Sequence, residues 1–348
     1  MKKSLLAIAL LGTVGAVLAE SSVTVYGTLD AGVAYTDSSI GKNDTTSLES
    51  GQQSYSRLGF KGSEDLGGGT KAMFVLEQAI SLDNGSTLNT YPYDSPTPNS
   101  GNGVFSSQAW VGLGGDFGTV KLGRQLTPLY LAHTAIDPFQ SGFAANINTI
   151  FGTNALDNGD YQRLSNAVTY STADNLGGFN ASVTYGFGEV TGNSAAQSQA
   201  GASLGYANGP VNVVYAYHQA NNDTATTKGD TFKTNFVGAT YDFGVVKAHA
   251  AFDQNEQGLN FKTQDYLLGV TVPFGQHAVF GEYTHKNNKL VKEADAELYA
   301  VGYTYNLSKR TNLYTAYTYV KNQPNAFVDV ADSGASASAF QVGVRHQF

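Results

Sequence analysis

SVTVYGTLDAGVAYT, residues 22–36, alternates without a break. Val23, Val25, Gly27, Leu29, Ala31, Val33 and Tyr35 share one parity, and Thr24, Tyr26, Thr28, Asp30 and Thr36 occupy the other. A period of two over fifteen residues reads as one long β-strand with a greasy face and a polar face. The same grammar recurs along the chain. Arg57 and Lys61 oppose Leu58 and Phe60; Lys71 and Glu77 oppose Ala72, Phe74 and Leu76; Asp265 and Thr271 oppose Tyr266, Leu268, Val270 and Val272.

Between such strands, short and long connections take turns. Seven short ones carry turn chemistry, at 64–69, 114–119, 174–178, 208–210, 242–244, 273–276 and 306–311. Eight long ones, rich in Asn, Ser, Thr and Gly, lie near 37–53, 81–104, 126–162, 188–200, 220–232, 255–262, 287–295 and 322–337. Fifteen connections join sixteen antiparallel strands, an even number that lets the first and last pair and close a cylinder. The expected fold is therefore all-β, a 16-stranded antiparallel transmembrane β-barrel of the outer-membrane kind, with turns on the periplasmic side and loops outside. A soluble adhesin-like β-sandwich is the competing architecture, but it does not require an apolar outer face along every long strand.

The ends and the composition agree. MKKSLLAIALLGTVGAVLA places Lys2 and Lys3 ahead of an apolar run from Leu5 to Leu18, with small residues Val17 and Ala19 before a cleavage point. Residues 1–19 read as a secretory signal peptide and residues 20–348 as the barrel. No later apolar stretch has the about 18 residues that a membrane helix needs. Charged residues are 14% of the chain against about 25% usually. Glycines number 40 and tyrosines 21, as suits a sheet whose outer face meets lipid and aromatic girdles. Cysteine is absent, so an exported chain holds itself by hydrogen bonds and packing. Loss of Lys2 and Lys3 moves the net charge from −8 to −10, which argues against a nucleic-acid partner.

The connection at 126–162 is the exception to the loop chemistry. It is far longer than the 2 to 5 residues of an ordinary hairpin link. Pro128, Tyr130, Pro138, Phe139, Phe143, Ile147, Ile150 and Phe151 make it too apolar for a solvated linker. It has to bury itself, and the lumen of a wide barrel is the available place, so the third loop is expected to fold inward and narrow the hole. At the other end, residues 339–348 read AFQVGVRHQF, with Phe340, Val342, Val344, His346 and Phe348 on one parity and the terminal carboxylate on Phe348 at the water interface.

Five segments together resemble the trimeric general porins of β-proteobacteria and Neisseria. They are SVTVYGTLDAGVAY at 22–35, SRLGFKGSEDLGGG at 56–69, QAWVGLGGDFGTVKLGRQLTPLY at 108–130, LSKRTNLY at 307–314 and VGVRHQF at 342–348. The resemblance implies a water-filled pore, a homotrimer, a third loop as constriction, and arginines on the pore wall facing acidic residues of that loop. Arg57 and Arg163 match such positions and have the parity of their strands' polar faces. Arg124 matches too, but shares parity with Val120 and Leu122 and reaches the lumen only if its strand bulges. Asp137, Asp157 and Asp160 are the candidate opposing charges, and Lys61, Lys71, Glu77 and Ser107 the candidate pore lining. Ser107 is a departure, since many relatives carry Arg there. Resemblance to outer-membrane proteins also makes Phe348 the expected signal for the barrel-insertion machinery.

Passive diffusion of ions and small hydrophilic solutes follows, with mild anion preference. No cofactor is expected. The six histidines form no HxxxH or HExxH pattern, Asp157 to Asp160 lack EF-hand spacing, and GLGGDFG at 112–118 lies in a hairpin, so neither a metal nor a nucleotide site is expected. Nothing marks a nucleophile and its base, so an enzyme is not expected. The alternative is a surface adhesin or host-interacting outer-membrane protein working through long loops such as 81–104.

Overall fold

The computed structural model describes residues 22–38, 44–88, 103–151, 162–174, 176–224, 226–330 and 332–348. The expected signal peptide, Asp157 and Asp160 lie outside the described residues. In chain order the elements are β1 (Ser22–Asp37), β2 (Asp44–Ser50), β3 (Arg57–Gly67), β4 (Thr70–Ile80), β5 (Thr87–Leu88), β6 (Gln108–Gly115), β7 (Gly118–Leu126), helix α1 (Pro128–Ile136) and a 3-10 turn (Ile147–Thr149). There follow β8 (Arg163–Ser171), β9 (Phe179–Gly186), β10 (Gln199–Asn208), β11 (Val211–Asn221), β12 (Thr231–Asp242), β13 (Lys247–Gln257), β14 (Phe261–Phe274), β15 (His277–Asn288), β16 (Ala296–Asn306), β17 (Thr311–Asn322) and β18 (Ser336–Gln347).

Neighbouring strands pair antiparallel all the way round, and β1 pairs with β18, so the sheet has no free edge. Both β2 and β3 pair with β1, the first along its loop-end half and the second along its turn-end half, so together they fill one position. The two-residue β5 is a spur on β4. The ring is therefore a closed sixteen-stranded barrel with an extra strand, as the count of connections requires.

The alternation read from residues 22–36 has the expected orientation. Val23 is 68% exposed on the outside, while Thr28 and Asp30 are 2% and 0% exposed inside. An apolar belt facing outward and polar residues facing inward is the inverse of a soluble protein, and it is stable only where the outside is hydrocarbon.

The break between β2 and β3 was not foreseen in the sequence, where 37–53 reads as one loop. Its cause is the buried Asp30. The Asp30 carboxylate accepts from Ser54 N at 2.7 Å and from the Tyr314 hydroxyl at 2.6 Å. Its carbonyl accepts from Gly51 N and from Ser56 Oγ. Residues 51–56 are thus pulled inward around one side chain, and the strand resumes at Arg57.

Ring closure rests on a close fit. Gly27 and Phe348 exchange both backbone hydrogen bonds at 3.1 Å. A Cβ on Gly27 would stand 2.5 Å from the Phe348 ring and 2.6 Å from the Arg57 carbonyl. Gly27→Val is expected to obstruct closure, lowering the fraction of chain that runs as a compact, SDS-resistant band before boiling. A wild-type yield of that band would refute the fit.

Candidate functional site

The third loop enters the lumen as helix α1. Thr127 caps it by accepting from Tyr130 N at 3.1 Å, and Pro128 occupies the first turn, where a missing N–H does no harm. Leu129, Ala132, His133 and Ile136 are buried, at the i, i+3, i+4, i+7 spacing of one helical face. That face and the following residues Phe139, Phe143, Ile147, Ile150 and Phe151 join Val214, Phe236, Leu267, Phe280, Leu298 and Tyr314 from the barrel wall in one apolar core. Burying each large side chain stabilises the docked loop by about 1.5–3 kcal/mol. The core of this protein therefore lies inside the barrel, between loop and wall.

Asp137 ends the helix and holds the next turn. Its carboxylate accepts from the backbone N–H groups of Phe139 (2.7 Å), Ser141 (2.8 Å) and Ile147 (2.9 Å). It is 2% exposed, with Glu282 of β15 beside it on the wall. Burial raises the Asp137 carboxyl above the usual carboxylate range, and the three N–H donors oppose that rise. The Asp137 oxygens are thus committed to the loop's own backbone, and the residue borders a lumen cavity together with Arg345 of β18.

The basic wall is organised around Glu77 of β4, itself buried. Arg57 Nε lies 3.4 Å from Glu77 Oε2, which also accepts from the Tyr26 hydroxyl at 2.9 Å. The other oxygen accepts from Ser107 Oγ. At position 107 the wall thus carries a hydroxyl bonded to a buried carboxylate. Lys61 sits with its ammonium 5.1 Å from the centre of the Tyr26 ring. Lys71 is exposed near the turn end of β4.

Arg163 is 4% exposed. It donates to the Ser107 carbonyl at 3.2 Å and to Gln162 Oε1 at 3.1 Å, and it lies about 6 Å from the ring centres of Tyr55 and Tyr130. The bulge that Arg124 required is present between Gly123 and Gln125, with Gly123 at φ +126°. Arg124 then donates to the Ser106 carbonyl at 2.6 Å and to Ser165 Oγ at 2.9 Å. Arg124 and Arg163 so clamp consecutive carbonyls ahead of β6, and Arg57, a third exposed, is the more open cation.

Arg345, Lys247 and His249 are among the lumen groups that escaped the sequence reading. Arg345 donates to Asn312 Oδ1 at 3.0 Å, and with Lys247 and His249 it lines a cavity on the turn side of the third loop. For Arg345 the signal was in plain view, because its parity in VGVRHQF is opposite to Val342, Val344 and Phe348.

A closed barrel with an apolar exterior, a polar lumen and an inward loop is the architecture of an outer-membrane diffusion channel. The chain belongs to the Gram-negative porin family, whose family model matches residues 5–325. It is 34% identical to outer membrane porin protein 32 of Delftia acidovorans and 32% identical to an outer membrane porin protein of Bordetella pertussis, in each case over the whole of both chains. Among solved structures it is similar to an anion-selective porin from Comamonas acidovorans, with a TM-score of 0.79 and 31% identity over 94% of this chain and 100% of the other. The protein is an outer-membrane porin, a multi-pass β-barrel that forms a channel for passive diffusion.

Asp137→Ala leaves three N–H groups without an acceptor, at about 1–3 kcal/mol each where they stay buried. The third loop should loosen, giving larger and noisier single-channel conductance and faster proteolysis within 126–162. Unaltered conductance and proteolysis would remove Asp137 from this role.

His133 couples the loop to the wall. Its Nδ1 lies 3.2 Å from Asn148 Oδ1 and its ring packs 4.5 Å from that of Phe236. Burial pushes His133 from 6.5 down to about 4, the Asn148 hydrogen bond works against that fall and nearby His218 adds to it. A depressed histidine contributes docking stability that is full above about pH 6.5 and is lost as the pH falls toward about 4, roughly 3 kcal/mol in all. Channel noise should rise across that window, and less so in His133→Gln. A flat wild-type response would contradict this linkage.

Proposed function

We propose that this porin carries small hydrophilic solutes with a mild preference for anions, and that Arg57, Arg124 and Arg163 form the basic wall of its constriction. The observation that carries the reading is the open guanidinium of Arg57, backed by Arg124 and Arg163 on the same wall. The Asp137 carboxylate is occupied by three backbone N–H groups of its own loop, and the similar Comamonas porin is described as anion-selective. Glu77 and the bond from Ser107 temper the positive field, which keeps the preference mild. At an effective dielectric of 20, two unit charges 4 Å apart interact by about 4 kcal/mol, against about 1 kcal/mol in water, so charges at a narrow opening decide which ions pass.

The proposal extends to residues 1–19 as a cleaved signal peptide, residues 20–348 as the mature barrel, a homotrimer packed through outward small and apolar residues such as Gly27, Ala31, Val342 and Val344, and no catalytic activity. Lys61 and Lys71 are assigned to the pore lining. The terminal Phe348 serves the barrel-insertion machinery, and a chain lacking it should reach the outer membrane at much reduced level. Normal surface levels of that deletion would sink the assembly role.

Reconstitution into a planar bilayer under a salt gradient tests the channel itself. Arg57→Ser with Arg163→Ser should shift the zero-current potential toward cations. If the potential stays put, these arginines do not set selectivity.

A further inference from the structure

The third loop divides the lumen into two chambers of unlike chemistry. On the turn side lies a cavity of about 260 Å³ whose charged lining is Lys247 and Arg345 with one carboxylate, Asp137, and where His249 also stands. On the loop side lies a larger cavity of about 440 Å³ between the 51–55 excursion, the loop turn at 141–146 and β18. Its described lining residues hold two carboxylates, Glu49 and Asp329, and no Lys, Arg or His. Phe143 borders both cavities, so the turn that carries it is the partition.

We propose that the outer chamber is a recognition site for uncharged polyhydroxylated solutes of the saccharide type. Its size falls in the range of small-molecule sites, about 300–1,000 Å³. Its lining is dominated by hydroxyls and amides, groups that both donate and accept, and its carboxylates accept only. That set matches a ligand whose every polar group is a hydroxyl. Asp329 has no hydrogen-bond or ion-pair partner among the described residues, and it sits in a turn at φ +56°, a conformation that aspartate tolerates. Glu49 is oriented by Ser47 Oγ at 2.7 Å and by Gln52 Nε2 at 3.5 Å, which leaves acceptor capacity on both oxygens. Ser54 Oγ, on the same lining, is a hydroxyl rotor without a partner.

Charge works against the passage of the other solutes. An anion finds no cation among the described residues of this chamber. An organic cation would be held by the carboxylates but would next meet Arg57, Arg163 and then Lys247 and Arg345, a sequence that opposes its passage. A neutral polyol meets no such opposition, and it exchanges hydrogen bonds to water for hydrogen bonds to the lining at little net change.

This inference rests on the diffusion-channel reading, and the test separates the two. The mature chain is reconstituted in a planar bilayer in potassium chloride and titrated with maltose, spermidine or citrate. A bilayer with no conductance would overturn the channel itself. Given an open channel, maltose should reduce the ion current saturably. Glu49→Gln with Asp329→Asn should raise the half-blocking concentration about tenfold, the equivalent of about 1.4 kcal/mol. Thr36→Phe, which fills the chamber from β1, should abolish saturation, whereas Lys247→Gln should leave the half-blocking concentration for maltose unchanged. A current that falls only linearly with maltose, a double variant indistinguishable from wild type, or block by spermidine or citrate at lower concentration than maltose would each overturn the saccharide site.

Discussion

Everything in this structure descends from one constraint: in hydrocarbon, each backbone N–H and C=O must find its partner within the chain. A sheet can meet that only by closing. Closure brings Gly27 against Phe348, leaves no free edge, and turns the greasy parity of every strand outward. It also fixes the width of the hole, because barrel diameter grows with strand number. Sixteen strands enclose more space than wall side chains can fill. The third loop is the answer to that surplus.

The loop docks by the same hydrophobic effect that builds the core of a soluble protein, relocated to the inside of the barrel. Ile136, Phe139, Phe143, Ile147 and Phe151 pack against Phe236, Leu267, Phe280 and Tyr314. Polar anchoring then gives the loop its shape. Asp137 gathers three backbone N–H groups, and Gln341 on β18 accepts from Ala144 N at 2.8 Å. Because the loop is fastened at these points, the chambers on its two sides stay distinct. Glu49 and Asp329 stand on one side, with Lys247 and Arg345 on the other.

The basic wall is built around one buried carboxylate. With Ser at position 107, the neighbouring carboxylate of Glu77 is satisfied by a hydroxyl, a phenol and one guanidinium. Arg163 turns to the Ser107 carbonyl, between two tyrosine rings. Both oxygens of the buried Glu77 therefore keep partners, as a buried carboxylate requires.

The amino-acid sequence by itself determined the barrel. Strand alternation is a period-two property of neighbouring residues, and the rhythm of short and long connections counts the strands, so both are legible in one dimension. It also determined that the apolar segment following Leu126 would seek burial, as its core residues from Leu129 to Phe151 do inside the barrel. The helix Pro128–Ile136, capped by Thr127, is encoded as well, in the spacing of Leu129, Ala132, His133 and Ile136, though a single face of nine residues is a short signal among so many strands. Only the tertiary structure decided which charges meet. Asp30 with Tyr314, Asp137 with the backbone of its own loop, and Arg345 with Asn312 depend on how strands far apart in sequence are staggered around the ring and on where the loop comes to rest within it. Parity states whether a side chain faces the lumen; it carries no information about height or azimuth, and those two coordinates make a constriction.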